Sequence, residues 1–265
     1  MTAAMAASSI PVAEERKRTM TPVRVWLFVL AALVLCMVTV GGATRLTGSG
    51  LSITEWKPIV GLLPPSSDAD WQDAFQKYRQ IPQYHHVNRG MSLEEFKFIF
   101  WWEWAHRNLG RAMAVVFALP FLGFLAAGYI GRALMLRLAG IFALGGLQGV
   151  AGWYMVSSGL TDRIDVSPYR LAFHLGLAIL ILGAIVWVAL SLRPGGEQGR
   201  PAASASRDAG AALIAVLLFV QILLGALVAG LKAGHAYNTW PLMDGRLVPA
   251  PETLRRLTLA VREHR

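Results

Sequence analysis

Residues 100–115 read FWWEWAHRNLGRAMAV. Trp101, Trp102 and Trp104 crowd Glu103, His106 and Arg107, and an apolar run follows at once. Tryptophans collect where a membrane helix meets water, because an amphipathic ring suits the headgroup level. An aromatic belt explains the tryptophans and needs no further function. It does not explain a glutamate and a histidine at the mouth of a span. Ionisable groups at membrane depth are costly and mark functional sites by default.

Working outward, five runs are long enough to cross about 30 Å of hydrocarbon, which takes about 20 residues at helical rise. They cover roughly 23–43, 109–130, 134–156, 171–192 and 209–230. Each is apolar around its circumference, and none alternates as a barrel strand would. Backbone groups in lipid must be satisfied within the segment, so the fold class is all-α, a polytopic transmembrane helical bundle. Only 15% of the 265 residues are charged, against about 25% in soluble domains. The net charge of +9 falls mostly in arginines flanking the apolar runs. These read as topology signals, and nucleic-acid binding is excluded on that ground. The lone cysteine, Cys36, excludes an intrachain disulfide and a thiolate cluster.

Residues 1–22 are expected to form a disordered tail, and 44–108 a long loop. The linker 193–208, RPGGEQGRPAASASRD, divides a four-helix half (23–192) from the first helix of a second unit (209–265). Basic residues in the tail, in the turn near Arg132 and Arg137, and in the linker put those segments in the cytoplasm. The N-terminus is then cytoplasmic. An offset of 184 matches Gly41 to Gly225, Gly50 to Gly234, Thr54 to Asn238, Trp56 to Trp240 and Gly61 to Gly245. Either two glycine-rich helix exits agree by chance, or a unit is duplicated.

Of six histidines, His106 and His174 fall near the same end of two spans that run in the same direction. Two imidazoles at one depth on two helices of a bundle suit the axial positions of a haem iron. His106 alone reads first as an interfacial anchor, while His174, inside the apolar run, is harder to explain that way. His85 and His86 read as solvated loop residues. Glu103 shares a helical face with His106 and is a candidate for tuning the iron or moving protons, or simply a helix N-terminal acid. Arg45, Arg107, Arg111 and Arg170 lie at the same level and are candidates for the haem propionates, or snorkelling anchors. Gly110, Gly149 and Gly152 lack the side chain that would keep a flat macrocycle away. Nucleotide-binding loops, zinc-protease motifs and nucleophile elbows are absent.

GGATRLTGSGLSITEWKPIVGLLPP (41–65), EWAHRNLGRAMAV (103–115), LQGVAGWYMVSSGL (147–160), SPYRLAFHLGLA (167–178) and GLKAGHAYNTWPLMDGRLVP (230–249) together resemble the haem A synthase family. The likeness is to its alphaproteobacterial and mitochondrial branch, over about 24–250. The resemblance implies a bacterial inner-membrane oxidoreductase that oxidises the C8 methyl of haem O to a formyl group, with water as oxygen source. It implies that His106 and His174 bind the substrate haem and that Glu103 is functionally important. Family members have eight helices in two pseudo-symmetric halves, the second holding haem B. The chain is expected to end after its fifth helix, without that haem B site, so that its activity alone is in question. Haem O, membrane lipid, haem O synthase and cytochrome oxidase assembly proteins are the partners implied, and an oligomer is compatible with them. Two other readings remain on the residues alone: a bis-histidine b-type cytochrome that passes electrons, and a haem-free membrane assembly protein.

Overall fold

The computed structural model describes residues 19–161, 163–193, 205–237, 239 and 241–256, with backbone only at 205–208 and 235. Among the described residues the α-helices are, in order, α1 (Thr21–Leu46), α2 (Asp68–Tyr78), α3 (Pro82–His86), α4 (Leu93–Ala126), α5 (Arg132–Ser157), α6 (Pro168–Ser191) and α7 (Ala205–Gly230), and residues 251–256 are helical as well. Single 3-10 turns lie at Val60–Leu62 and Ala233–His235. Among the described residues the only β pairing is an isolated bridge between Met243 and Arg246. Among the described residues five helices (α1, α4, α5, α6 and α7) are long and apolar enough to cross a membrane. The chain is therefore a multi-pass membrane protein.

The spans read at 23–43, 134–156 and 209–230 fall inside these helices, 171–192 passes the end of α6 by one residue, and 109–130 runs four residues past the end of α4, where there is also a substantial difference at the start. The span placed at 109–130 is the second part of a 34-residue helix that begins at Leu93. At 1.5 Å per residue α4 is about 51 Å long, well beyond the hydrocarbon thickness. Its start is set by a capping box, in which Ser92 accepts from the Glu95 amide and the Glu95 carboxylate accepts from the Ser92 amide. Glu94, Glu95, Lys97 and Arg107 lower the hydropathy there without opposing the helix, so an apolar run locates only the lipid-embedded part. The expected loop 44–108 is accordingly a folded cap. Phe75, Tyr78, Ile81, Tyr84, Phe96, Ile99 and Phe100 form its core, together with Leu51 and Val166. Gly48, in the left-handed region at φ +66°, turns the chain out of α1. Gln83 Nε2 donates to the Gly48 carbonyl at 3.3 Å and ties the cap to that turn.

Two other boundaries shift. Helix α1 starts at Thr21, inside the segment expected to be a tail, and Pro22 suits a helical first turn. The rest of that tail, 1–18, lies outside the described residues, as do 194–204 of the linker. Helix α7 begins at Ala205, before the expected 209.

In the bundle α1 packs against both α4 and α6, and α5 packs against α6 and, less extensively, α4. Helices α4 and α6 therefore face each other across one diagonal, and α1 and α5 across the other. Trp26, Phe117 and Phe124 interlock at the end away from the cap, where Trp26 Nε1 donates to the Val116 carbonyl at 2.9 Å. Helix α7 lies outside this square, against α6. The Gly176 position abuts Leu223, and the Gly230 position abuts Pro168.

Gly230→Ala should weaken the α6–α7 contact. A Cβ there would lie 2.6 Å from Pro168 Cβ and 2.8 Å from its Cα, which cannot rotate away. A loss of about 1–3 kcal/mol is expected for forced overpacking. Gly183→Ala in α6 meets nothing within 4 Å, and should be neutral or gain up to about 1 kcal/mol from helix propensity. Unfolding of the detergent-purified variants, read by circular dichroism, checks both.

Candidate functional site

His106 and His174 occupy the diagonal pair α4 and α6 near the cap end. His106 lies against α1, where a Cβ on Gly41 would come within 3.0 Å of its Nε2. His174 lies against α5, where a Cβ on Gly152 would come within 3.0 Å of its Cε1. Gly41 and Gly152 each precede their helix's last residue by five positions, about 7.5 Å at helical rise. The two histidines thus stand on one diagonal and the two glycines on the other, at one level.

Neither imidazole is satisfied in the ordinary way. No hydrogen bond holds the His106 ring among the described residues, and His174 Nδ1 is buried without a partner. Polar groups away from water are normally paired, so two imidazoles short of hydrogen-bond partners at one level have the chemistry of a metal-binding pair. The donors fit a haem iron on that observation.

The glycines divide differently from expectation. Gly152 makes room for an imidazole. Gly110 is filled over by the Met37 methyl at 3.2 Å, and Gly149 faces open space. Gly41 was legible only as a member of the repeat, and nothing in its spacing marks it as a seat for His106.

Glu103 is 3% exposed and is turned toward the cap. Its Oε2 accepts from Ser52 Oγ and from the Ile53 amide, each at 2.8 Å. Its Oε1 accepts from Arg107 Nη2 at 2.6 Å and Nε at 3.0 Å. Arg107 also donates to the carbonyls of Ile53 and Glu55 at 2.7 and 3.1 Å. The pair sits one turn apart on α4 and grips the segment 52–55. Arg111 continues the grip on the carbonyls of Pro58 and Lys57, at 2.8 and 3.1 Å. From the other side, Lys77 and Lys57 hydrogen-bond Glu55 and hold its carboxyl below the usual range.

Arg45 pairs with Asp165 at 2.8 Å and donates to the last carbonyls of α7, Ala229 and Gly230. Asp165 also takes Lys232 at 2.6 Å, so one carboxylate links the exits of α1 and α7. Arg170 lies 3.7 Å over the Tyr154 ring and donates to the Tyr154 carbonyl at 2.7 Å. All four arginines read as propionate candidates thus have protein partners, the guanidinium fork being matched to backbone carbonyls. Arg170 commits only Nη1.

Gln148 is the residue the spacing does not single out. It is a polar side chain in the apolar run of α5, and its Nε2 lies 3.0 Å from the His174 carbonyl and 3.5 Å from His174 Nε2. The only signal available was its polarity at membrane depth.

The sequence matches the COX15-CtaA family, described as cytochrome oxidase assembly protein, over residues 24–263. The chain belongs to that family. The Heme A synthase of Bradyrhizobium diazoefficiens is 58% identical over 232 residues, covering 88% of this chain and 64% of the relative. Those of Azorhizobium caulinodans and Mesorhizobium japonicum are each 56% identical, over 93% of this chain and 69% and 68% of their own lengths. The chain therefore spans about two thirds of the COX15-CtaA relatives it matches. No solved structure matches it.

Glu103→Ala should strand Arg107 and the Ile53 amide in a buried setting, a loss of roughly 3–5 kcal/mol for one partner of a buried pair. Glu103→Gln keeps an acceptor and should cost less. Limited proteolysis within 51–62, faster in Glu103→Ala than in Glu103→Gln, checks the order.

Proposed function

We propose that this chain binds haem O between His106 and His174 and serves haem A synthesis. The observation that carries the reading is the crossed arrangement of two imidazoles on α4 and α6, each seated on a glycine of α1 or α5. The family match and the name of the relatives support the substrate class. Oxidation of a methyl to a formyl group takes up one water and releases four electrons and four protons. Haem iron held by His106 and His174 would supply a route for these electrons to an external electron acceptor.

The chain's own residues do the rest. His106 and His174 hold the substrate by its metal. Glu103 is a positioning residue in this reading, not a proton carrier, because each of its oxygens already accepts two hydrogen bonds. With Arg107 and Arg111 it fixes the 52–61 segment beside the cap-end mouth of the bundle and limits water there. The uncommitted Nε and Nη2 of Arg170 are the donors for a propionate. The setting is a bacterial inner membrane with a cytoplasmic N-terminus and the cap on the far side, as the basic flanks argue. Haem O synthase and the oxidase assembly machinery are the partners for supply and delivery.

His106→Ala and His174→Ala should each abolish or sharply reduce haem retained by the detergent-purified chain. Retention at the level of the unmodified chain would remove the ligand assignment. Mass analysis of the extracted haem after incubation with haem O separates the readings: a mass change to haem A supports synthesis, and unchanged haem O supports binding or electron transfer only.

A further inference from the structure

The structure assigns Gln148 as the residue that sets the ring of His174 for metal binding, with its Nε2 lone pair held free of a proton. The inference rests on the haem-ligand reading of His174 and extends it to a neighbour. Gln148 stands on α5, four residues before Gly152, so the two share a face one turn apart. Gly152 brings α5 close enough for the His174 ring to lie on it. The amide nitrogen of Gln148 then reaches the His174 carbonyl at 3.0 Å, with His174 Nε2 a further, long contact at 3.5 Å. An amide NH2 has two hydrogens and no lone pair to offer. With one hydrogen on the carbonyl, the other is the group that faces the ring.

A donor facing Nε2 requires that nitrogen to be the acceptor, which places the ring proton on Nδ1. Which nitrogen of a histidine is free for a metal is set by the hydrogen bonds around it. Here Nδ1 is buried without a partner, so nothing else competes to decide the tautomer. The Gln148 oxygen is likewise buried without a partner. The amide is therefore held by its nitrogen alone, through the His174 carbonyl. That anchor is the backbone and not the ring, so it survives when Nε2 turns to a metal. Gln148 can thus face the Nε2 lone pair without depending on it for its own place.

The decisive measurement uses the full chain in detergent, free of haem, with 15N-labelled histidine. The unmodified chain should show His174 as the neutral tautomer protonated at Nδ1, assigned by loss of the signal in His174→Ala. Gln148→Leu removes the donor and should shift the population toward the Nε2–H form. Gln148→Glu preserves size but offers an acceptor, and should draw the proton onto Nε2. Titration with haem should then show about a tenfold loss of affinity in Gln148→Leu, as expected for a group that orients a ligand. The loss should be larger in Gln148→Glu, although Glu is the closer match in shape. A purely structural role for Gln148 reverses that order. An Nε2–H tautomer in the unmodified chain, or one unchanged by both substitutions, overturns the assignment. If the tautomer responds but no variant binds haem, the ligand reading fails while the control of the ring by Gln148 stands.

Discussion

Wherever a helix stops or a loop begins near hydrocarbon, its free carbonyls need donors, and water is scarce there. At the cap end of this bundle, arginines supply them. Arg45 covers the last carbonyls of α7, Arg170 covers a carbonyl in the last turn of α5, and Arg107 and Arg111 cover the segment from Ile53 to Pro58. A guanidinium suits this work because it stays charged and presents several donors in a fixed plane. Each of these contacts crosses from one element to another, so satisfying the carbonyls also sets the relative heights of the helix ends. The level at which His106 and His174 meet is a consequence. Were the ends free to slide by one turn, about 5.4 Å, the two rings would no longer share a plane of approach.

The same pressure explains the treatment of the one buried carboxylate among the described cap residues. An ionised group in such a place is tolerated only when its oxygens are filled by hydrogen bonds. Glu103 meets that condition with a hydroxyl, an amide and two guanidinium nitrogens. Its spacing from His106 suggested a shared task at the iron. Three residues make 300° of helical turn, so the two side chains share a broad face while pointing to different neighbours, one to the cap and one to α1. Proximity along a helix was a correct guide to location and a poor one to direction.

That contrast runs through what could be read in advance. The hydrocarbon length requirement made the five spans legible, because no shorter or more polar segment can cross. It left the first part of α4 invisible, since a helix that leaves the membrane no longer needs to be apolar. The two imidazoles were legible because a histidine at that depth is costly. Gln148 carries the same signal but sits alone in an apolar run, and its meaning comes from a contact with another helix 26 positions away. The arginines were legible as anchors or anion binders; only the packed ends of α5 and α7 show which carbonyls they take.

The repeat makes the point sharply. Helices α1 and α7 are each 26 residues long and offset by 184, so Gly41 and Gly225 occupy equivalent places. Asn238 and Trp240, matched to Thr54 and Trp56, lie outside the described residues. Both helices pack on α6, which stands between them. Yet Gly41 receives the ring of His106, while a Cβ at Gly225 would meet nothing within 4 Å among the described residues. Two largely different apolar sequences have produced helices of equal length with a glycine at the equivalent position. A gap becomes half of the candidate site only when a neighbouring helix delivers an imidazole to it at the right level. Helix α4 does so for α1 because the cap, the Glu103–Arg107 pair and the arginine contacts fix its register. The site is therefore a property of the four packed helices and their fastened ends, and not of the glycine motif that marks its position in the chain.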